Sequence, residues 1–148
     1  MVEMKSEPYT ITFGIIGAGR IGKLHADNLL SHVKGAKLKT VTDPFLDEEW
    51  AASRNIPVTG KDHRIMLDDP EIDAILIGSP SPEHAAQMIE CARAGKHIFC
   101  EKPIALDPDI IRNALAEVEK SGVKLQVGFN RRFDPNFAAV QEQIASGA

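Results

Sequence analysis

Cysteine is scarce: the 148 residues contain two, Cys91 and Cys100. Neither has the spacing of a metal ligand, and the pair is expected to be buried, reduced thiols of a cytoplasmic protein. No basic excess is present either. Lys and Arg number 17 against 21 Asp and Glu, a net charge of −4, which argues against a large nucleic-acid surface. No apolar stretch is long enough to span a bilayer, and the first ten residues, MVEMKSEPYT, lack the apolar core of a signal peptide. Internal repeats and low-complexity tracts are also missing. The remainder, 43% hydrophobic and 26% charged, is the composition of one ordinary globular domain with a sizeable core.

Against this background one segment stands out. From Thr10 the chain reads TITFGIIGAGRIG, a β-type run that feeds directly into Gly17-Ala18-Gly19-Arg20-Ile21-Gly22. Gly17 permits a tight strand-to-helix turn, Gly19 lets the backbone approach a pyrophosphate, and Gly22 lets the new helix pack closely on the strand. Arg20 and Ile21 fall in the first turn, where unpaired N–H groups and the positive dipole end face the phosphates. Apolar Ile21, Leu24, Leu29, Leu30 and Val33 line one helical face, and Gly35 supplies the stop. A second β-type run, KLKTVTD, ends at Asp43, 21 positions after Gly22. That is close to the roughly 20 expected for the acid that accepts from the adenosine ribose hydroxyls. The three glycines and Asp43 together make a dinucleotide site.

Strand and helix alternate through the rest of the chain. Expected are a helix over 47–54, a strand over 56–58, a brief helix from Asp62 to Leu67 and a buried strand at Ala74–Ile77. After Gly78-Ser79-Pro80-Ser81-Pro82 come a helix over 83–94, a strand at His97–Cys100, a helix over 108–120, a strand over 125–129 and a last helix over 135–144. Asp134 reads as the N-cap of that last helix. The pattern predicts an α/β fold: a doubly wound parallel Rossmann sheet of about six strands, ordered 3-2-1-4-5-6, in a three-layer αβα sandwich. Ligand loops of such a sheet lie beyond the carboxyl ends of its strands. The glycine turn, Asp43-Pro44, Ser79 to His84, Glu101 to Pro103 and Asn130 to Asp134 therefore share one edge.

Glu101-Lys102-Pro103 is the second signal. Proline keeps Lys102 out of the helical region, so its ammonium is expected to project into the cleft, able to steady charge on a substrate oxygen. With this triplet, the chain resembles the glucose–fructose oxidoreductase, inositol dehydrogenase and rhizopine-catabolism (Gfo/Idh/MocA) family of NAD(P)-dependent dehydrogenases. The residues carrying the likeness are GAGRIG, Ser79-Pro80-Ser81-Pro82-Glu83-His84, Cys100-Glu101-Lys102-Pro103 and Gly128-Phe129-Asn130-Arg131-Arg132-Phe133-Asp134. The last of these looks most like the inositol 2-dehydrogenase branch.

The resemblance implies that Lys102 is the active-site lysine, that Glu101 lies by the nicotinamide ribose, and that Ser79, Pro80 and His84 line the middle of the cofactor. It also implies that Asn130 and Arg131 approach the nicotinamide and a polyol or sugar substrate, with Arg131 inward. His84 has a second reading, as a local hydrogen-bonding residue at a helix start. Asp43, followed by Pro44 and Phe45 and not by a cation, favours NAD over NADP. Family members carry a further substrate domain that supplies a catalytic Asp and His. The whole chain is therefore expected to be the cofactor-binding domain of a homo-oligomeric enzyme, inactive alone, with its last helix exposed and prone to self-association. Two other readings stay open: an NAD(H)-binding sensor without chemistry, and another sugar dehydrogenase of the same family.

Overall fold

A computed structural model describes residues 10–147, so the reading of residues 1–9 lies outside the described residues. Strands β1 (Ile11–Ile16), β2 (Ala36–Thr42), β3 (Val58–Gly60), β4 (Ala74–Ile77), β5 (His97–Cys100) and β6 (Leu125–Val127) form one sheet. Its order is β3-β2-β1-β4-β5-β6 and every pairing is parallel. Helices α1 (Arg20–Ser31), α2 (Glu48–Ser53), α3 (Arg64–Leu67), α4 (Ser81–Arg93), α5 (Pro108–Ser121) and α6 (Pro135–Ser146) alternate with the strands. The expected topology is the observed one.

Alternation along the strands divides the interior in two. Ile15 and Leu76 face Ala26 and Leu29 of α1 and Ala51 of α2. Ile16, Ile75 and Ile77 face Met66 of α3, Met88 and Cys91 of α4, and Ala114 and Val118 of α5. β4 is buried along its whole length, as a central parallel strand covered on both faces must be. Ile15, Ile75 and Ile77 are each fully inaccessible, and burying such a side chain contributes about 1.5–3 kcal/mol.

Among the boundaries that differ from expectation, three have a clear local reason. β3 starts at Val58 because Asn55 adopts a left-handed φ of 52° and the Ile56 amide donates back to Ala51. Ile56 thereby becomes a buried plug after α2 and not the first residue of a strand. α4 starts at Ser81, since Pro82 in the first turn has no amide to leave unpaired. β6 ends at Val127 because the Phe129 amide donates to Val127 O and the Asn130 amide to Gly128 O. These tight turns curl the chain out of the sheet and into a 3₁₀ turn over Asn130–Phe133. Asp134 caps α6 by accepting from the Asn136 amide, 2.9 Å away. No residue of α6 is buried, and Phe137, Val140 and Ile144 lie on its surface.

Candidate functional site: a dinucleotide cavity at the strand ends

Just past the carboxyl ends of the strands, one further row of hydrogen bonds ties the loops together. Asp43 N donates to Gly60 O, Gly17 N to Thr42 O, Gly78 N to Ile16 O, Glu101 N to Ile77 O and Gly128 N to Cys100 O, all at 2.8–3.0 Å. The sheet thus fixes the height of every loop before any side chain contributes. Between β1 and β4 the chain departs toward opposite faces, and the diverging loops open a cleft.

That cleft is a cavity of about 690 Å³, within the range of small-molecule sites. Gly17, Gly19, Arg20, Ile21, Asp43, Ser79 and Pro80 all line it. Gly17 holds a φ of +93°, and a Cβ there would stand 2.6 Å from Ser79 N. Only glycine fits where the two diverging loops touch. At Gly22 a Cβ would lie 1.8 Å from Gly17 O, so that glycine sets how closely α1 rides on the turn.

Gly19 is different, for a Cβ built there meets nothing within 4 Å. It caps α1 without any side-chain hydrogen bond, and no acidic residue stands in the first turn. The helix therefore presents its orphan N–H groups to open space, which is what a pyrophosphate needs. At the other end, Asp43 Oδ2 accepts from Ala18 N at 2.7 Å and Oδ1 from Phe45 N at 2.8 Å. Its carboxylate is thereby fixed at the cavity wall with lone pairs left for ribose hydroxyls. Glycine cradle, helix end and oriented acid fit an adenine dinucleotide.

Other expected residues lie elsewhere. His84 does not line the cavity: it is 1% exposed, with Nδ1 2.8 Å from Pro103 O and Nε2 2.8 Å from Ser79 O. Its ring spans the loops after β4 and β5, so the local hydrogen-bonding reading describes it. Its direct place on the cofactor wall is corrected, because both ring nitrogens are taken up by backbone carbonyls inside the protein. Glu101, Lys102 and Asn130 stand on the same sheet edge but outside the cavity wall, Lys102 and Asn130 being exposed. The chain does stay non-helical from Lys102 until Pro108. Arg131 is not inward: its guanidinium lies 4.6 Å from the Phe137 ring centroid and 3.8 Å from Asp134 Oδ2. The 3₁₀ turn leads it toward α6.

Sequence reasoning missed the loop after β3, which brings Lys61 and His63 to the cavity. The strand-end rule itself points to that loop, once β3 is given its true end at Gly60. Gln87, from the second turn of α4, also reaches the wall, and its Oε1 accepts from Ser79 Oγ at 2.6 Å. Both thiols are buried and unpaired. Among the described residues no helix is long and apolar enough to cross a membrane.

A parallel, doubly wound sheet with this cavity at its switch point defines a dinucleotide-binding domain. Residues 11–129 match the sequence profile of the Gfo/Idh/MocA oxidoreductase family, NAD-binding Rossmann fold, and the chain belongs to that family. Its cofactor is accordingly NAD. The chain is 49% identical over 139 residues to the uncharacterized oxidoreductase YrbE of Bacillus subtilis, covering 93% of this chain and 40% of that protein. It is 43% identical over 138 residues to an inositol 2-dehydrogenase of Rhizobium meliloti, covering 93% and 42% respectively. The crystal structure of scyllo-inositol dehydrogenase from Lactobacillus casei with bound NAD(H) and scyllo-inositol superposes with a TM-score of 0.85 at 34% identity, covering 93% of this chain and 42% of that one. The chain thus spans about two fifths of the length of these relatives.

Proposed function

We propose that these residues are the cofactor half of a cytoplasmic, homo-oligomeric dehydrogenase that oxidises a secondary alcohol of an inositol or related sugar. One observation carries the reading. The Glu101-Lys102-Pro103 loop is fastened by Glu101 N→Ile77 O to the strand that ends in the cavity loop Gly78-Ser79-Pro80. A lysine is thus held on the same rim as the cavity loops, which supports reading it as the group at the far end of the dinucleotide. A module that only sensed NAD would need the glycine turn and Asp43 but not this lysine. The inositol substrate class is supported by the names of relatives 38–43% identical to the chain.

When bound, NAD supplies the hydride acceptor. The chain's own residues do the rest of what this half contributes. Gly17, Gly19 and the first turn of α1 hold the pyrophosphate, and Asp43 holds the adenosine ribose and disfavours a 2′-phosphate there. Lys102 donates a hydrogen bond to the reacting hydroxyl and stabilises the negative charge that grows on its oxygen as the proton leaves. Asn130 follows the neighbouring strand on the same edge. The proton-accepting base and most of the substrate pocket belong to a substrate domain outside these residues, so the 148 residues alone turn over little.

The test combines binding with reconstitution. Calorimetry with NADH and NADPH should show binding, tighter for NADH. Turnover of myo-inositol should be absent for the chain alone and present when the C-terminal portion of a relative is supplied. Lys102→Ala should then lower that turnover by roughly 10²–10⁴ while leaving NADH affinity within a few-fold. Strong turnover by the chain alone, or full turnover in Lys102→Ala, overturns the reading.

A further inference from the structure

The carboxylate of Glu101 is held from three sides. Phe99 packs against the α1 side of the sheet while Cys100 packs on the other, so strand alternation carries the Glu101 side chain back to α1. On α1, His25 follows Gly22 by three positions and precedes Leu29 by four, within the same buried stripe. Its ring meets Phe99 edge-on, centroids 5.3 Å apart and planes at 64°. Its Nε2 lies 2.9 Å from Glu101 Oε1. The second oxygen, Oε2, accepts from the Lys102 amide at 3.2 Å. Gly128 forms the third wall, where a Cβ would stand 3.1 Å from Oε1. Both side chains of the pair are largely covered, 20% and 13% exposed. A covered carboxylate that loses its partner must move or recruit water.

We propose that His25 is a positioning residue for the nicotinamide end of the site. From α1 it fixes the Glu101 carboxylate, and through Glu101 it orients the backbone that presents Lys102. The helix whose first turn holds the pyrophosphate therefore also sets the lysine at the reacting end. Both ends of the cofactor are referred to one rigid element. The geometry of the chain stands on the contacts above; the role at the nicotinamide rests on the proposed function.

Two substitutions separate the hydrogen bond from packing. His25→Phe keeps a ring against Phe99 and removes Nε2, whereas His25→Gln restores a donor of similar reach. Backbone NMR of the chain reads the loop directly. In His25→Phe the Lys102 amide resonance should shift and its hydrogen exchange accelerate, and His25→Gln should bring both back toward the parent. Titration with NADH and ADP-ribose reads the consequence. His25→Phe should weaken NADH by roughly three- to tenfold and leave ADP-ribose, which lacks the nicotinamide, within about twofold.

An unchanged Lys102 amide in His25→Phe overturns the proposal, as does failure of His25→Gln to restore it. Equal weakening of both ligands also overturns it, since that marks general damage to α1. A parent chain that binds NADH no better than ADP-ribose defeats the proposed placing of the nicotinamide beside this loop, while the amide measurement still decides the role of His25. Should His25→Phe not fold, Glu101→Gln probes the same pair from the other side and should move the same amide.

Discussion

Asp43 reaches back across the site to the glycine turn, its Oδ2 2.7 Å from the Ala18 amide. The acid proposed to hold the ribose and the turn proposed to hold the phosphates are one hydrogen-bonded unit. Asp43→Asn keeps one acceptor oxygen and removes the charge, so its effect on ribose binding is cleaner than that of truncation. NADH should bind roughly 10- to 100-fold more weakly, the range for losing a charged hydrogen bond of about 1.5–3 kcal/mol. The double variant Asp43→Ser, Pro44→Arg should reverse the preference toward NADPH. Calorimetric titration with both nucleotides checks this, and tighter or equal NADPH binding by the parent would defeat the NAD assignment.

The glycines of the turn have separable duties. At Gly19 the backbone φ of −70° suits any residue and the added Cβ finds open space. Gly19→Ala should therefore fold with equal stability or a gain of about 0.4–1 kcal/mol, yet lose at least roughly tenfold in NADH affinity as the methyl meets the pyrophosphate. Gly22→Ala should do the opposite first. Its Cβ would collide with Gly17 O at 1.8 Å, at a cost of about 2–4 kcal/mol. Thermal denaturation alongside NADH titration distinguishes them. A destabilised Gly19→Ala would show that the cradle is filled by protein and not by ligand.

Sheet order was legible because hydrophobic runs such as Ala74–Ile77 and punctuating glycines leave few ways to wind six parallel strands. The phosphate end of the site was legible for the same reason: a backbone cradle is written in glycine. The other end was less so. Arg131 was expected inward, but adjacent loop residues carry no period, and only the curl after Val127 decides which way each points. His84 was ambiguous because a residue in the first turn of a helix can face the cleft or the interior, and only the packing of α4 against the loops after β4 and β5 decides which. The pairing of His25 with Glu101 joins residues 76 positions apart, and no local pattern announces it.

Burial governs the thiols. Cys91 and Cys100 are each pushed up to about 12, chiefly by loss of solvation. At pH 8 the thiolate fraction is then lower than that of a free cysteine by roughly a thousandfold or more. Native protein should react with a disulfide reagent correspondingly slowly, and two thiols should titrate promptly once the chain is denatured. Prompt labelling of either cysteine in the native state would mean that the α4 face of the sheet opens readily.

On the far edge of the sheet, Lys39 of β2 reaches Asp69, just before β4, with Nζ 2.6 Å from Oδ2. The Lys39 ammonium, helped by the Glu71 amide, holds the Asp69 carboxyl below its usual range. A depressed folded-state value means the pair stabilises the fold above the ordinary unfolded value near 3.9, and the contribution disappears as pH falls through the lower folded one. Asp69→Asn retains the oxygen that accepts from the Glu71 amide and removes the charge. Its melting temperature should lie about 1–3 °C below the parent between pH 7 and 5, with the gap closing below roughly pH 4. A gap that stayed constant down to pH 2.5 would locate the effect in packing. Because raised salt screens an ion pair that solvent still reaches but not a packing defect, the same gap should also narrow in 1 M salt.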